Sequence, residues 1–356
     1  MDCEETLKPH DIAEQVVDGS SSVPQELVDF IVHSSDFIIA GHKEPDGDCV
    51  GCQLALRSAL LRLGKNAVVC SAGPFKRSEL RGYECHFEKN PAMPENSKVI
   101  IVDCSNIERT GEIKNYIEKF PYAIIDHHAS GGAPSPNHLH EGSVYFPVST
   151  PQEPVYVDSN APSCTLIIYK VIKALGLELT KEEANLLFFG LCTDTGYFRF
   201  LTEQNYDVFS AASDFVKRGA NPKKIFNSIY NGRTLSSRIM TGRILSRIES
   251  HFDGKLLLSY ATLDDFETFG LAGRDSETLN QLMLSVEGVK AAVTIRQECA
   301  DYCTVSLRST NKINVAQIAF ELGGGGHKNA SGLTMKGDIT SVKLILLNVF
   351  KNVFTV

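Results

Sequence analysis

Short apolar runs alternate with helical patterns over the first 128 residues of the chain. The runs, at residues 37–40, 67–70, 99–102 and 122–125, are rich in Val, Ile and Ala, which is typical of strands buried on both faces of a sheet. The apolar spacing predicts helices at residues 24–33 and 50–63, the second of them ended by Gly64. Strands that alternate with helices predict an α/β fold with a doubly wound, mostly parallel sheet.

Residues 129–163 interrupt that alternation. The segment is rich in Gly, Pro and Ser, with five prolines between Pro134 and Pro154, and is longer than an ordinary loop. It is either a functional loop or a disordered insertion. Regular structure is expected to resume near Ser163. Thr180 and Glu183 then form a capping box that opens a helix to about residue 192.

The second half of the chain consists of a basic helical segment and a second α/β pattern. From Lys217 to Arg247 there are eight Lys or Arg residues and no Asp or Glu. Further along, the pattern predicts strands at 256–261, 291–296 and 304–308, and helices at 276–285, 315–322 and 341–353. We therefore predict an N-terminal arm at 1–22, a first α/β domain at 23–215, a helical connector at 216–250 and a smaller α/β domain at 251–356.

Composition and charge narrow the class of protein. Hydrophobic residues make up 43% and charged residues 22%, which argues against an intrinsically disordered chain. The 43 acidic residues exceed the 35 basic ones, a net charge of −8 that disfavours binding to long duplex DNA. The chain has no apolar stretch of the roughly 18 residues that a membrane span needs, and its acidic start lacks the apolar core of a signal peptide. We expect a cytoplasmic protein without a membrane partner, whose ten cysteines are free thiols.

Histidines and aspartates follow three of the predicted strands and one predicted helix. They are His42, Asp46 and Asp48, then Asp103, then Asp126, His127 and His128, and finally Asp194. Because the carboxyl ends of parallel strands share one edge of a sheet, these side chains should meet there. Imidazole and carboxylate donors suit Mn²⁺, Mg²⁺, Fe²⁺ or Co²⁺. Two such ions that share a carboxylate would neutralise the site, activate a water and bind a phosphoryl group.

Each of these residues, taken alone, has a simpler structural interpretation. A single Asp after a strand is more often a turn former or a helix cap, and a single buried His is more often a hydrogen-bonded core residue. Asp46 and Asp48 could begin a calcium loop, but Val50 stands where a ligand belongs and no Glu follows at the twelfth position. The combination of four such segments favours the metal site.

Cys49 and Cys52 have the C-x-x-C spacing of a redox pair at a helix start. The acidic residues around them would raise the pKa of both thiols, so we interpret them as small residues that pack a tight helix start. Cys299 and Cys303 form no zinc pattern with them.

A run of glycines marks the second α/β pattern. Gly323, Gly324, Gly325 and Gly326 precede His327, and backbone N–H groups in such a run can converge on an anion. A glycine run is equally typical of a flexible turn. Arg308 ends a predicted strand and either makes a bidentate phosphate contact or lies on the surface as an ordinary strand-end arginine.

Five motifs recur together in one known family. They are His42-Lys-Glu-Pro-Asp46-Gly-Asp48-Cys-Val-Gly51, Asp103-Cys-Ser-Asn-Ile-Glu-Arg109, Asp126-His127-His128, Thr193-Asp194-Thr195-Gly196 and Gly323-Gly-Gly-Gly-His327. With these motifs in this order, over about residues 37–335, the chain resembles the DHH phosphoesterases that carry a DHH-associated C-terminal domain. The likeness is to the NrnA-like branch of oligoribonucleases and 3′-phosphoadenosine-5′-phosphate (pAp) phosphatases.

The resemblance implies a role for each matched residue. His42, Asp46 and Asp103 would hold one Mn²⁺, and Asp48, Asp103, His127 and Asp194 the other. His128 would stabilise charge on the substrate phosphate, and Asp126 would orient the two histidines beside it. The residues that would grip the far end of the nucleotide are Arg308, Gly324, Gly325, Gly326 and His327.

Several alternatives stay open at this stage. The main substrate could be pApA-like dinucleotides, very short RNA, pAp or cyclic-di-AMP. Mg²⁺, Co²⁺ or Fe²⁺ could replace Mn²⁺, and the oligomeric state, a homodimer among the options, is open. A non-catalytic nucleotide-binding or redox module that uses Cys49 and Cys52 is a further hypothesis. Inorganic pyrophosphatases have a similar N-terminal set, but the glycine run and the Ser306-Leu-Arg-Ser309 strand favour a nucleotide.

Overall fold

Five parallel strands form the sheet of the first part of the chain. The computed structural model describes residues 23–128, 154–270, 276–310 and 313–354. The strands are β1 (Asp36–Ala40), β2 (Asn66–Cys70), β3 (Lys98–Val102), β4 (Tyr122–Asp126) and β5 (Val155–Val157), in the order β2-β1-β3-β4-β5. Every neighbouring pair is parallel, so all five carboxyl ends lie at one edge.

Helices cover both faces of this sheet. They are α1 (Gln25–Val32), α2 (Gly47–Arg62), α3 (Lys114–Ile117), α4 (Cys164–Ala174), α5 (Lys181–Asp194), α6 (Tyr206–Lys217) and α7 (Pro222–Tyr230). Side chains alternate along each strand: Ile39 and Ile100 join the core formed with α1, α2, α4 and α5, whereas Ile38 and Ile101 face the core that contains α3. The predicted doubly wound α/β sheet is thereby confirmed.

The close approach of α2 and α5 depends on two glycines. A Cβ on Gly51 would lie 2.7 Å from the backbone oxygen of Leu186, and a Cβ on Gly190 would lie 2.9 Å from Asp48 Oδ1. Both helices are therefore in near contact along their backbones. This packing brings Asp194, at the end of α5, to the strand edge where α2 begins.

A second, mostly antiparallel sheet follows. Its strands are β6 (Glu249–His251), β7 (Leu256–Ala261), β8 (Ala291–Cys299), β9 (Tyr302–Ser309), β10 (Gly325–His327) and β11 (Ala330–Lys336), in the order β10-β11-β9-β8-β7-β6. The helices here are α8 (Leu235–Leu245), α9 (Leu263–Phe269), α10 (Ser276–Leu284), α11 (Val315–Glu321) and α12 (Ile339–Phe354). Among the described strands of this second sheet, β7 and β8 pair in parallel and all other neighbours pair antiparallel.

The two faces of the second sheet pack against different helices. Val293 and Leu307 belong to the core with α11 and α12, whereas Ala292 packs with Met240 of α8 and Met283 of α10. The chain divides into two compact units between Asn231 and Gly232. That division falls inside the predicted connector at 216–250, and the four-part boundaries themselves stay a prediction.

The structure differs from the sequence prediction in three places. β5 lies within the segment 129–163 that was expected to be irregular, because its three residues extend the parallel sheet beside β4. The predicted glycine loop is instead a short hairpin of β10 and β11, with Gly325 paired to Gly332. Strand β6 and helices α6 and α9 were not predicted. The expected N-terminal arm at 1–22, and most of 129–163, lie outside the described residues.

The expectations of free thiols and of no membrane span can be compared with the described residues. The cysteines among the described residues form no disulfide. Over the same residues, no helix combines the length and the apolar character that a membrane crossing requires.

The capping box of α5 generates a stability prediction. Glu183 is fully buried; it accepts hydrogen bonds from Thr180 N–H (2.8 Å), Ser58 Oγ (2.8 Å) and Arg62 Nη1 (2.7 Å). Glu183→Ala would leave all three donors without this partner, so we expect it to lower the free energy of unfolding by about 2–4 kcal/mol. Urea denaturation measures this loss. Glu182→Ala, an exposed neighbour in the same helical turn, should change it by less than about 0.5 kcal/mol; equal losses would contradict the account.

Candidate metal centre

His42 and Asp46 lie between the end of β1 and the start of α2. Asp46 caps the helix, and its Oδ1 accepts hydrogen bonds from the N–H groups of Asp48 and Cys49 at 3.1 Å each. His42 Nδ1 donates to the carbonyl of Lys43 at 2.8 Å, because a carbonyl can only accept. This leaves Nε2 of the ring 3.9 Å from Asp46 Oδ1.

Asp103 follows β3 and lies between two histidines. Its backbone has a φ of 55°, the left-handed region, which costs free energy for a residue with a Cβ. Its Oδ2 is 3.5 Å from His42 Nε2, and its Oδ1 is 3.4 Å from His127 Nε2. One buried carboxylate therefore faces two histidines through different oxygens, an arrangement that suits a ligand shared by two ions.

The residues at the end of β4 hold one another in place. His127 Nδ1 donates to the carbonyl of Ala161 at 3.1 Å, so Nε2 faces the aspartates. Asp126 Oδ1 accepts hydrogen bonds from His127 N–H and from His128 Nδ1, both at 2.8 Å. Fully buried, Asp126 thus fixes the orientation of both neighbouring histidines.

Asp48 and Asp194 bring two further carboxylates to His127. Asp48, fully buried on α2, accepts hydrogen bonds from the N–H groups of Cys164 (2.6 Å) and Thr165 (2.9 Å) at the start of α4. Its Oδ2 lies 3.9 Å from His127 Nε2, and Asp194 Oδ2 lies 3.2 Å from the same nitrogen. The N-terminus of α4 stabilises the Asp48 charge, and α5 presents Asp194.

These donors fit divalent cations. Two ligands with bonds of about 2.1 Å to one octahedral or tetrahedral ion lie roughly 3.0–3.4 Å apart, close to the separations at Asp103 and His127. Within the described parts of the chain, the buried Asp103 Oδ1 and His127 Nε2 have no hydrogen-bond partner, although each lies among charged groups. Three sets of donor atoms each gather within 4.8 Å: His42, Cys49 and Asp103; Asp48, His127 and Asp194; and Asp103, Asp126, His127 and His128.

Crowded negative charge also shifts the pKa values of the cluster. Burial disfavours charge on His42, but Asp103 and Asp46 more than offset it and raise the pKa of His42 to about 10. Burial also disfavours charge on His127. The carboxylates of Asp103, Asp48 and Asp194 outweigh it and raise the pKa of His127 to about 10. Burial and repulsion from Asp103 raise the pKa of Asp48 to about 7. The cluster thus favours positive charge, which divalent ions would supply.

Sequence reasoning missed two neighbours of the cluster. Arg77 Nη2 lies 3.5 Å from Asp46 Oδ2, on a loop without regular pattern that could have marked it. Cys49 approaches His42 and Asp103, although the sequence was interpreted as placing it in a packing role. It is fully buried, as is Cys52, and burial raises the pKa of both thiols well above the ordinary value.

The predicted substrate contacts lie in the second unit. Arg308 is on β9, and Gly325 and Gly326 are on β10, whose partner β11 pairs on its other edge with β9. Gly324, just before β10, approaches Leu333 so closely that a Cβ there would lie 2.4 Å from it. The backbone of His327 pairs with Ala330, and its side chain lies outside the described residues.

Comparison with known proteins places the chain in a family. The model of the DHH family N-terminal domain matches residues 36–191, and that of the DHHA1 domain matches residues 253–352. The chain therefore belongs to the DHH family of phosphoesterases, in its NrnA-like branch. It shares 30% identity with the bifunctional oligoribonuclease and PAP phosphatase NrnA of Thermus thermophilus, over 84% of each chain.

The chain is also similar to other proteins. NrnA of Bacillus subtilis is 25% identical over 87% of this chain and 92% of its own. The cyclic-di-AMP phosphodiesterase PdeA of Listeria monocytogenes is 28% identical over 89% of this chain, which spans only 47% of that protein. An exopolyphosphatase-related protein from Bacteroides fragilis has the same fold, with a TM-score of 0.78 at 22% identity over 93% of this chain and 97% of its own.

The geometry of Asp103 generates a prediction for metal binding. Asp103→Ala removes the carboxylate that faces both His42 and His127, so we expect it to weaken or abolish binding of two Mn²⁺ ions. Asp194→Ala touches only the His127 half and should leave one ion bound. Metal content after dialysis measures both. Asp207→Ala, an exposed aspartate on α6, is the control and should keep two ions; an Asp103→Ala variant that also keeps two would contradict the bridging geometry.

The raised pKa values generate a second prediction. At pH 8 the metal-free His42 and His127 carry protons, because their pKa of about 10 lies above that pH. A metal binds the neutral ring, so binding should release up to about two protons, and the affinity should rise as the pH rises towards 10. Calorimetric titration with Mn²⁺ in two buffers of different ionisation enthalpy counts these protons. Identical heats in both buffers would contradict the prediction.

Proposed function

We propose that the chain is a manganese-dependent, two-metal phosphoesterase that cleaves pApA-like dinucleotides and very short oligoribonucleotides to mononucleotides, and converts pAp to AMP. The observation that carries the proposal is the Asp103 carboxylate between His42 and His127. The chain that carries this carboxylate is similar, over most of its length, to two proteins named as bifunctional oligoribonuclease and PAP phosphatase. The cytoplasmic location stays a prediction.

The proposed ligands follow the two halves of the cluster. His42, Asp46 and Asp103 hold one ion, and Asp48, Asp103, His127 and Asp194 hold the other. Bound divalent ions would supply a water of lowered pKa and neutralise charge on the phosphoryl group. Mn²⁺ suits this mixture of imidazole and carboxylate donors, and Mg²⁺, Co²⁺ or Fe²⁺ are the other candidates.

His128 is the proposed catalytic residue beside the ligands. Its ring is held by the hydrogen bond from Nδ1 to Asp126, which itself is fixed by the N–H of His127. The ring therefore keeps one orientation while it stabilises charge that develops on the phosphate oxygens. Asp126 acts through the two histidines and is a positioning residue.

The second unit supplies the proposed contacts to the nucleotide. Arg308 binds a phosphate of the substrate, and the backbone of Gly324, Gly325 and Gly326 together with His327 lines the site beside it. A Cβ on Gly325 would meet open space, so a ligand can come close to the backbone there, whereas Gly324 and Gly326 lie tightly against β11. A phosphate contact away from the scissile bond would favour short substrates that end in a phosphate.

A second candidate substrate is cyclic-di-AMP. The likeness to the phosphodiesterase PdeA favours it, over a segment that is about half of that protein. The redox-module hypothesis has less support, because Cys49 and Cys52 are fully buried and their raised pKa values disfavour the reactive thiolate.

A substrate panel tests the proposal. With Mn²⁺ present, we expect hydrolysis of pApA, of a five-nucleotide RNA and of pAp, and slower turnover of cyclic-di-AMP, because the ring has no terminal phosphate. Chromatographic release of AMP measures each rate. His128→Asn should keep the ions and lose at least about a hundredfold in kcat on pApA, whereas His86→Asn, an exposed histidine, is the control. A protein that binds two ions and cleaves neither pApA nor pAp would refute the proposal, and faster cyclic-di-AMP turnover would favour the second candidate.

A further inference from the structure

A chain of buried polar side chains leads to Arg308 in the second unit. Thr294 Oγ1 donates to Asn280 Oδ1 at 2.9 Å, and Asn280 Nδ2 donates to Ser306 Oγ at 3.1 Å. Ser306 Oγ also accepts a hydrogen bond from Arg308 Nη1 at 3.3 Å. Thr294 and Asn280 are each 1% exposed and Ser306 is 6% exposed, so the chain lies inside the protein until it reaches the arginine.

The register of the sheet places these residues on one face. Thr294 of β8 pairs with Ser306 of β9, and Arg308 follows two residues later on the same side of the strand. Their neighbours across β11 are small, since Gly332 pairs with Ser306 and Ala330 pairs with Arg308. No large side chain stands at these paired positions, and a ligand could approach the arginine there.

Asn280 is a polar residue in an apolar environment. It lies on α10 next to Leu279 and three residues before Met283, both of which pack with Ala292 in an apolar core. Burial of an amide costs free energy unless its donors and acceptors are satisfied, and an apolar residue would pack at this position without that requirement. The hydrogen bonds to Thr294 and Ser306 satisfy it, and they also determine which way the amide faces.

The same bonds restrict the guanidinium. Arg308 Nη1 donates to Ser306 Oγ and to the carbonyl of Leu307 at 3.0 Å, so both of its hydrogens are engaged. Because the guanidinium is planar, fixing one nitrogen restricts the plane in which the other donors lie. A plane that is already fixed lowers the entropy cost of binding a phosphate in a bidentate way.

We propose that Asn280 is a positioning residue that, through Ser306, holds Arg308 in the orientation that binds a substrate phosphate away from the scissile bond. Thr294 fixes the orientation of the Asn280 amide and belongs to the same chain of hydrogen bonds. This inference rests on the proposed function, and it adds Asn280 and Thr294, which lie outside all the motifs that the sequence identified.

A double-mutant cycle tests the inference. Thr294→Val keeps the shape of the side chain and removes the hydroxyl that fixes Asn280. With pApA as substrate, we expect the KM of this variant to rise about three- to tenfold while its kcat stays within about twofold of the wild-type value. Its kinetics on bis(4-nitrophenyl) phosphate should not change, because that substrate lacks a second phosphate. In an Arg308→Ala background, Thr294→Val should have no further effect on the KM for pApA. Asn280→Leu should behave like Thr294→Val.

The controls separate positioning from folding and from the proposed function. Thr304→Val, two residues before Ser306 on the same face, removes a hydroxyl that donates to Glu298 and should leave the KM unchanged. Thermal unfolding of each variant reports whether it folds. Two results would overturn the inference without touching the proposed function. One is an effect of Thr294→Val on the KM that persists in the Arg308→Ala background. The other is an unchanged KM in both Thr294→Val and Asn280→Leu. A wild-type protein that neither binds nor cleaves pApA would overturn the proposed function and the inference together.

Discussion

The contact of the buried Asp103 carboxylate with two histidines is the interaction on which the charged cluster of the first unit depends. The carboxylate lies between the Nε2 atoms of His42 and His127, 3.5 and 3.4 Å away, in a backbone conformation that a residue with a Cβ adopts at a cost. Asp48 and Asp194 add negative charge around His127. Buried carboxylates at this density require compensating positive charge, which protons on the histidines supply in the metal-free protein and divalent ions would supply in the active one.

The fold brings these groups together through backbone topology. Parallel pairing places the ends of β1, β3 and β4 at one edge. His42 comes two residues after β1, Asp103 directly follows β3, and Asp126 is the last residue of β4. The glycines at 51 and 190 let α2 and α5 approach, which adds Asp48 and Asp194. The groups behind the cluster, above all Asp126 and the start of α4, hold His127, His128 and Asp48 in one orientation.

Much of this could be predicted from sequence because it depends on local patterns. Apolar runs bounded by His and Asp predicted the strands and their ends, and the alternation of strands and helices predicted that the ends would converge. Features that depend on distant contacts could not be predicted. β5 is a three-residue strand that forms beside β4, the hairpin of β10 and β11 looked like a glycine loop, and Arg77 reaches Asp46 from an irregular segment. Asn280 gave no signal, since a single polar residue in a helix is ordinary until its partners are known.

The most direct test of the central claim is the position of the ions themselves. Crystals grown with Mn²⁺ and measured at the manganese absorption edge should give two anomalous peaks about 3.5–4 Å apart. One should contact Asp103 Oδ2 and His42 Nε2, and the other should contact Asp103 Oδ1 and His127 Nε2. A single peak, or two ions that do not share the Asp103 carboxylate, would contradict the account.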